Sequence, residues 1–92
     1  MIELGGNIKL EGFDPIEPGK LIVVKKIVGN FARKISDKKQ YKDLIVSLGM
    51  DNNQFKIKVV CNNEEGVLDG EKSENNLFFA INGAFKVLME KV

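Results

Sequence analysis

The sequence predicts an α+β fold: a single β-α-β-β-β-α domain over residues 1–92, with a four-stranded mixed sheet and two helices packed on one face. Two patterns indicate this fold. Four segments alternate apolar and polar side chains, which is the period of a strand with one buried face. Two longer segments repeat apolar side chains every three or four residues, which is the period of a helix with one buried stripe. Both helices should therefore cover the same face of the sheet.

The first predicted strand covers residues 2–12, where apolar side chains stand at even positions. Gly5-Gly6 indicates a bulge or a weak point within this strand. The segment 12–19 contains two prolines and is predicted to connect the strand to a helix, since proline is tolerated at or before the first helical turn. We expect that helix to begin at Ile16 or Lys20 and to end at Ile35, followed by a polar linker over residues 36–40.

Gly29 falls inside the first predicted helix, where glycine costs about 1 kcal/mol relative to alanine. Such a glycine indicates a close contact with a neighbouring element. The buried stripe of this helix is predicted to consist of Leu21, Val24, Ile27, Val28, Phe31 and Ile35.

Three further strands are predicted at residues 43–50, 54–62 and 67–71, separated by short polar turns. Strands joined by such turns should pair as an antiparallel meander. The first strand, first helix and second strand form a crossover unit, which should place these two strands parallel. The resulting arrangement is like that of double-stranded-RNA-binding domains.

The second helix is predicted to follow Ser73, a plausible N-cap residue, and to extend to Val92. Phe79 falls almost opposite the apolar stripe of this helix, where it would be exposed to solvent. A small shift in the helical phase would instead bury it. The sequence leaves both outcomes open.

Cys61 is the one cysteine in the sequence, and histidine is absent. A disulfide within the chain, a zinc site and the histidine-dependent nucleophile–base pairs are therefore excluded. Cys61 alternates with apolar residues of its strand and is expected to be a small buried side chain. No constellation of catalytic side chains emerges, so the sequence predicts a protein that is not an enzyme and uses no metal or cofactor.

The sequence contains no apolar run near the ~18 residues that a membrane-spanning helix requires. Its first ten residues also lack the basic and apolar regions of a signal peptide. We therefore expect a cytoplasmic location and no membrane partner.

The charges are strongly separated along the sequence. The basic segment, Lys20–Lys42, holds eight of the fourteen basic residues and one acid, a net charge of +7. The other residues contain six bases and twelve acids, a net charge of −6. Such asymmetry is typical of proteins that bind polyanions, because contacts with phosphates require a surface of one sign. A solvated helix face balanced by acids elsewhere in the fold is the simpler alternative.

The chain resembles the ribosome hibernation promoting factor family, the short ribosome-associated inhibitors with a β-α-β-β-β-α plan. The opening strand that runs into a glycine, NIKLEG at residues 7–12, and the lysine-bearing first helix carry part of this resemblance. The rest lies near the end of the chain, at Asn76, Leu77, Ala80, Ile81, Asn82, Lys86, Val87 and Leu88.

This resemblance implies a role in binding small-subunit ribosomal RNA through the basic surface of the two helices, near the sites of messenger and transfer RNA. It implies that the bound protein would block those sites. With Lys38 and Lys39 added from the basic segment, the predicted RNA-binding residues are Lys25, Lys26, Arg33, Lys34, Lys38, Lys39, Lys86 and Lys91.

A protein-interaction module that self-associates is the alternative function. Lys56 and Lys58 should lie on the open face of the sheet, where they are candidate protein contacts together with Phe79. A homodimer through this face would hold or tighten as salt rises, whereas RNA binding would weaken steeply.

Overall fold

The computed structural model describes residues 2–5 and 7–92. In this part of the chain, five strands form one sheet in the order β1-β2-β3-β4-β5, and two helices accompany it. The β2–β3 pair is parallel and the other pairs are antiparallel, so the sheet is mixed as predicted. The elements are β1 (Ile2–Glu3), β2 (Ile8–Glu11), α1 (Pro18–Lys38), β3 (Tyr41–Asp51), β4 (Gln54–Asn63), β5 (Gly66–Glu74) and α2 (Leu77–Met89).

The prediction of a single N-terminal strand, and hence of four strands, is wrong. β1 and β2 form an antiparallel hairpin in which Ile2 lies opposite Leu10. Gly5 has a φ of 78°, in the left-handed region that favours glycine, so the chain reverses where a bulge was expected. The other residue of the predicted bulge, Gly6, lies outside the described residues. The likeness to double-stranded-RNA-binding domains stays a prediction.

The boundaries of both helices differ from the predicted ones. α1 begins with Pro18 in its first turn and continues to Lys38, three residues beyond the expected end at Ile35. α2 begins after Asn76 and not after Ser73, which belongs to β5 and lies opposite Lys56. The side chain of Asn76 caps α2, because its Oδ1 accepts hydrogen bonds from the backbone N–H groups of Phe78 and Phe79 at 2.9 and 3.1 Å.

The hydrophobic core lies between the helices and one face of the sheet. α1 contributes Val24, Val28, Ala32 and Ile35 to it. Cys61 is fully buried in this core, as its alternation with apolar residues predicted. Phe13, between β2 and α1, and apolar residues of β2, β3, β4 and α2 complete the cluster: Leu10, Leu44, Val46, Ile57, Val59, Leu77, Ala80, Ile81, Ala84, Phe85 and Leu88.

Two glycines have opposite surroundings. A Cβ atom at Gly70 of β5 would collide with the backbone of α2 at Ala84 and Leu88, so this glycine permits the close approach of helix and sheet. A Cβ atom at Gly29 of α1 would meet nothing within 4 Å among the described residues. The close contact predicted at Gly29 is therefore wrong.

The two helices run in the same direction. β3 and β5 are both antiparallel to β4 and hence parallel to each other. α1 joins the parallel strands β2 and β3 and so runs back against them. α2 runs back along β5, since Gly83 lies beside Lys72 and Lys91 near the end of the chain contacts Asp69 earlier in that strand. Phe31 of α1 stacks on Phe85 of α2, which fixes the relative level of the helices.

Candidate nucleic-acid interface

α1 presents a strongly basic surface. It carries six bases and one acid, Asp37, a net charge of +5. No acid occurs between its first residue and Ser36. All six bases are exposed: Lys20, Lys25, Lys26, Arg33, Lys34 and Lys38. The helix thus concentrates positive charge on the side of the molecule opposite the sheet.

These bases divide into two groups along the helix. The stack of Phe31 on Phe85 marks the side of α1 that faces α2. Residues seven or eleven positions from Phe31 share this side because they are nearly whole turns away, and a residue three positions away lies within about 60° of it. We call the bases at these positions, Lys20, Lys34 and Lys38, the inner flank. The Nζ atom of Lys34 lies 5.2 Å from the centroid of the Phe31 ring, a cation–π contact at this flank.

The other three bases of α1, Lys25, Lys26 and Arg33, lie on the side turned away from α2, and we call them the outer flank. The helical period places Lys26 and Arg33, seven positions apart, above one another. The structure therefore does not gather all the predicted residues of α1 into one cluster. It forms two basic stripes, of which the outer one includes Lys26 and Arg33 on the solvent-facing ridge of the helix, opposite the buried residues.

Two of the predicted RNA-binding lysines already have acidic partners. The Nζ atom of Lys39 lies 3.2 Å from Oε2 of Glu65. Lys91 lies 3.0 Å from Oδ1 of Asp69 and donates a hydrogen bond of 2.7 Å to the backbone oxygen of the same residue. The hydrogen bond that Lys91 donates to the Asp69 carboxylate and the charge of Lys91 lower the pKa of the Asp69 carboxyl. By contrast, the inner and outer flanks form no ion pair with any described residue.

The exposed side of α2 adds one base and one aromatic ring. Lys86 is exposed on α2. Phe79 is 68% exposed, which answers the question that the sequence left open. Phe79 and Lys86 are seven residues apart and therefore share one side of the helix.

The open face of the sheet has the opposite character. Side chains that share this face by register include six acids (Glu3, Glu11, Asp43, Asp51, Asp69 and Glu71) and three bases (Lys9, Lys56 and Lys58). Lys56 forms an ion pair of 3.7 Å with Glu71, and Ser47 donates a hydrogen bond of 3.3 Å to Glu11. Ile45 lies opposite Val60 at the centre, between Lys9 and Asp69. Polar rows therefore enclose the apolar pair on this face.

A small cleft of about 250 Å³ opens between the end of α1 and the β4–β5 turn, lined by Lys39, Gln40, Tyr41, Lys42, Asn63, Glu64 and Glu65. Behind it, burial and the nearby Asp43 carboxyl raise the pKa of the Cys61 thiol, while Lys39 lowers it. Burial and Cys61 also raise the pKa of Tyr41. Both groups are therefore held in their neutral forms at neutral pH, and the thiol lacks the character of a nucleophile.

Sequence reasoning missed one residue of the basic surface. Lys20 belongs to the inner flank, because it precedes Phe31 by three turns. The helical spacing of residues 20, 31, 34 and 38 would have identified it, had the side of α1 that faces α2 been known.

Within the described residues, no group of three or more acidic or cysteine side chains is placed to hold a metal ion. No helix in the same part of the chain is long and apolar enough to cross a membrane.

The fold is shared with two solved proteins. The N-terminal domain of Protein Y from Thermus thermophilus matches with a TM-score of 0.71 and 13% sequence identity, over 94% of this chain and 94% of that chain. A ribosomal subunit interface protein from Coxiella burnetii matches with a TM-score of 0.63 and 6% identity, over 94% of this chain and 92% of that chain. No family model and no curated protein matches the sequence. The resemblance predicted from the sequence is thus confirmed at the level of the fold.

Proposed function

We propose that this chain is a non-enzymatic, cytoplasmic, ribosome-associated protein that binds small-subunit ribosomal RNA through α1 and blocks translation sites. The observation that carries the proposal is the set of lysine and arginine side chains on the two flanks of α1, which form no ion pair with any described residue. They stand on a fold shared with a ribosomal subunit interface protein from Coxiella burnetii. The sequence resemblance to the hibernation promoting factor family supports the same role.

The distribution of charge favours a polyanion as the partner of α1. Each phosphate neutralised by a lysine or arginine releases condensed counterions, which drives binding at low salt. An acid beside the bases would weaken this contribution only slightly, because surface ion pairs within a protein contribute about 0–1 kcal/mol each. The lone acid of the helix, Asp37, lies in its last turn. Six bases are thus available for phosphates along the whole length of α1.

The two sides of the molecule would act differently on the ribosome. The basic helices would contact RNA phosphates, and the charged open sheet face would remain towards solvent. A protein with principal extents of 35 × 24 × 18 Å is large enough to exclude another ligand sterically from the surface that it covers. Inhibition would then require occupancy of the site and no chemical step.

Co-sedimentation with purified small ribosomal subunits over a series of salt concentrations tests this proposal. If all six bases of α1 contact phosphates, the logarithm of affinity should fall with the logarithm of salt with a slope of about −5. A variant with Lys25, Lys26, Arg33 and Lys34 replaced by glutamine should lose binding and keep its fold. The matched control replaces Lys9, Lys56, Lys58 and Lys72 by glutamine, which removes the same charge away from α1. Equal losses in the two variants would contradict a site on α1.

A further inference from the structure

We propose that Phe79 is a stacking platform for an unpaired nucleobase of the RNA that the helices hold. This inference rests on the proposed function and adds a second mode of recognition to it. The flanks of α1 would bind phosphates, whereas the ring of Phe79 would bind the flat face of a base. The ligand class is thus a single-stranded or looped-out ribonucleotide next to a phosphate backbone.

The ring of Phe79 is exposed and its position is fixed. It is 68% exposed although it occupies the first turn of a regular helix. The Asn76 cap accepts hydrogen bonds from the N–H groups of both Phe78 and Phe79, which sets the phase in which α2 begins. Asn82 then donates a hydrogen bond of 2.9 Å to the backbone oxygen of Phe78, one turn later. In this phase Phe78 is half-buried against the core, and Phe79 points to water.

Phe79 stands on the same side of the molecule as the basic residues. Lys86 follows it by two turns on one side of α2. Because the helices run in the same direction and Phe31 stacks on Phe85, a residue six positions before Phe85 lies at the level of residues near 25 in α1. The 42% exposed Val23 belongs to this level. An exposed aromatic ring therefore shares one side of α2 with Lys86, at the level of the first turns of the basic helix α1.

The surroundings favour a nucleobase over an apolar protein partner. A stable protein–protein interface buries roughly 800 Å² on each partner, whereas one phenylalanine side chain supplies about 150–250 Å². The exposed apolar residues of α1 near this level, Ile22 and Val23, extend the patch by two aliphatic side chains that are 56% and 42% exposed. The remainder of this surface is positively charged, and an apolar partner would have to desolvate these charged side chains. A base needs one aromatic face and brings its own phosphate to a nearby lysine.

The absence of tryptophan from the sequence provides a direct test. Phe79→Trp introduces a single tryptophan at the proposed platform, and Val67→Trp introduces one at a site 64% exposed on the sheet face. Both variants are titrated with single-stranded oligoadenylate and with protein-free small-subunit ribosomal RNA. We expect base stacking to quench the fluorescence of Phe79→Trp strongly and that of Val67→Trp little. Equal quenching of the two variants would overturn the proposal.

Affinity for purified small subunits separates this inference from the proposed function. Phe79→Leu keeps an apolar side chain but removes the ring, and should weaken binding about 5- to 100-fold. Phe79→Tyr should retain the wild-type affinity, because it keeps the ring. Wild-type affinity of Phe79→Leu would overturn the stacking role and leave the basic site intact. Failure of the wild-type protein to bind subunits at low salt would overturn both. A dimer in sedimentation velocity that Phe79→Leu dissociates would assign the ring to self-association and overturn the stacking role.

Discussion

The rings of Phe31 and Phe85 lie parallel, with their centroids 4.6 Å apart, and join the two helices. Phe85 is fully buried, whereas Phe31 is partly exposed and has the ammonium group of Lys34 beside it. The stack therefore connects the hydrophobic core to the inner basic flank. It also fixes which lysines of α1 face α2.

We expect the two rings to be energetically coupled. Phe31→Leu and Phe85→Leu should each destabilise the protein, with the larger loss at the buried Phe85. The double variant should lose about 0.5–1.5 kcal/mol less than the sum of the single losses, because the stacking energy is removed once. Urea unfolding of the four proteins measures this difference. Strict additivity would show that the rings contribute by burial and not by stacking.

The two glycines with opposite surroundings should respond oppositely to alanine. Gly70→Ala should destabilise the protein by about 1–3 kcal/mol, because its methyl group collides with the backbone of α2. Gly29→Ala should stabilise it by about 0.5–1 kcal/mol, because it meets open space within a helix. Thermal and urea unfolding report both effects. A destabilised Gly29→Ala variant would indicate that this glycine has a role that its surroundings do not show.

Lysines that already have acidic partners should contribute less to RNA binding than free ones. Lys39 and Lys91 form ion pairs with Glu65 and Asp69, so contact of either lysine with a phosphate must first break an existing ion pair, which offsets part of the attraction to RNA. One variant replaces both of these lysines by glutamine. Replacing Lys34 and Lys38 by glutamine removes two charges that have no such partners among the described residues. The second variant should show the larger loss of affinity for small subunits and the larger decrease in salt slope. A larger loss of affinity in the variant that lacks Lys39 and Lys91 would instead indicate that the RNA lies beyond the end of α1.

The buried thiol predicts a loss of stability at alkaline pH. The pKa of the Cys61 thiol is higher in the folded protein than in the unfolded chain. The contribution of the thiol to the free energy of unfolding is therefore fully present below the unfolded pKa of about 8.5. This contribution is lost as pH rises through the folded pKa, because the unfolded chain releases the proton more easily. The dependence of urea stability on pH above about 8.5 should therefore be flatter in Cys61→Ala than in the wild type. Tyr41→Phe should flatten the curve at higher pH, since the pKa of Tyr41 is also raised. Parallel curves for all three proteins would contradict this account.

The sequence predicted the elements whose patterns are local. β3, β4 and β5 have alternating apolar residues and short polar turns, and both helices have clear apolar stripes. The break between β1 and β2 was missed because Ile2 and Leu10 face the core both in one long strand and in a hairpin. The start of α2 was misplaced because Ser73 and Asn76 are both good caps. Pairing of Ser73 with Lys56 across the sheet decides between them, and this pairing is not visible in local sequence.

The candidate site was predictable in composition but not in arrangement. The basic segment identified α1 as the positive surface, because charge content requires no knowledge of packing. Its division into flanks depends on the stack of Phe31 with a residue 54 positions later. The ion pairs of Lys39 and Lys91 likewise join segments that are distant along the chain. Periodicity within one helix cannot reveal such contacts.

The separation of charge between the helices and the open sheet face also acts at a distance. With positive charge on one side and excess negative charge on the other, the molecule has an electric dipole across its two layers. Near a polyanion, the electric field of the polyanion exerts a torque on this dipole and turns the helices towards the polyanion during diffusion. A larger share of random encounters then begins in a productive orientation. The acidic residues of the sheet thus influence the rate of association without touching the partner.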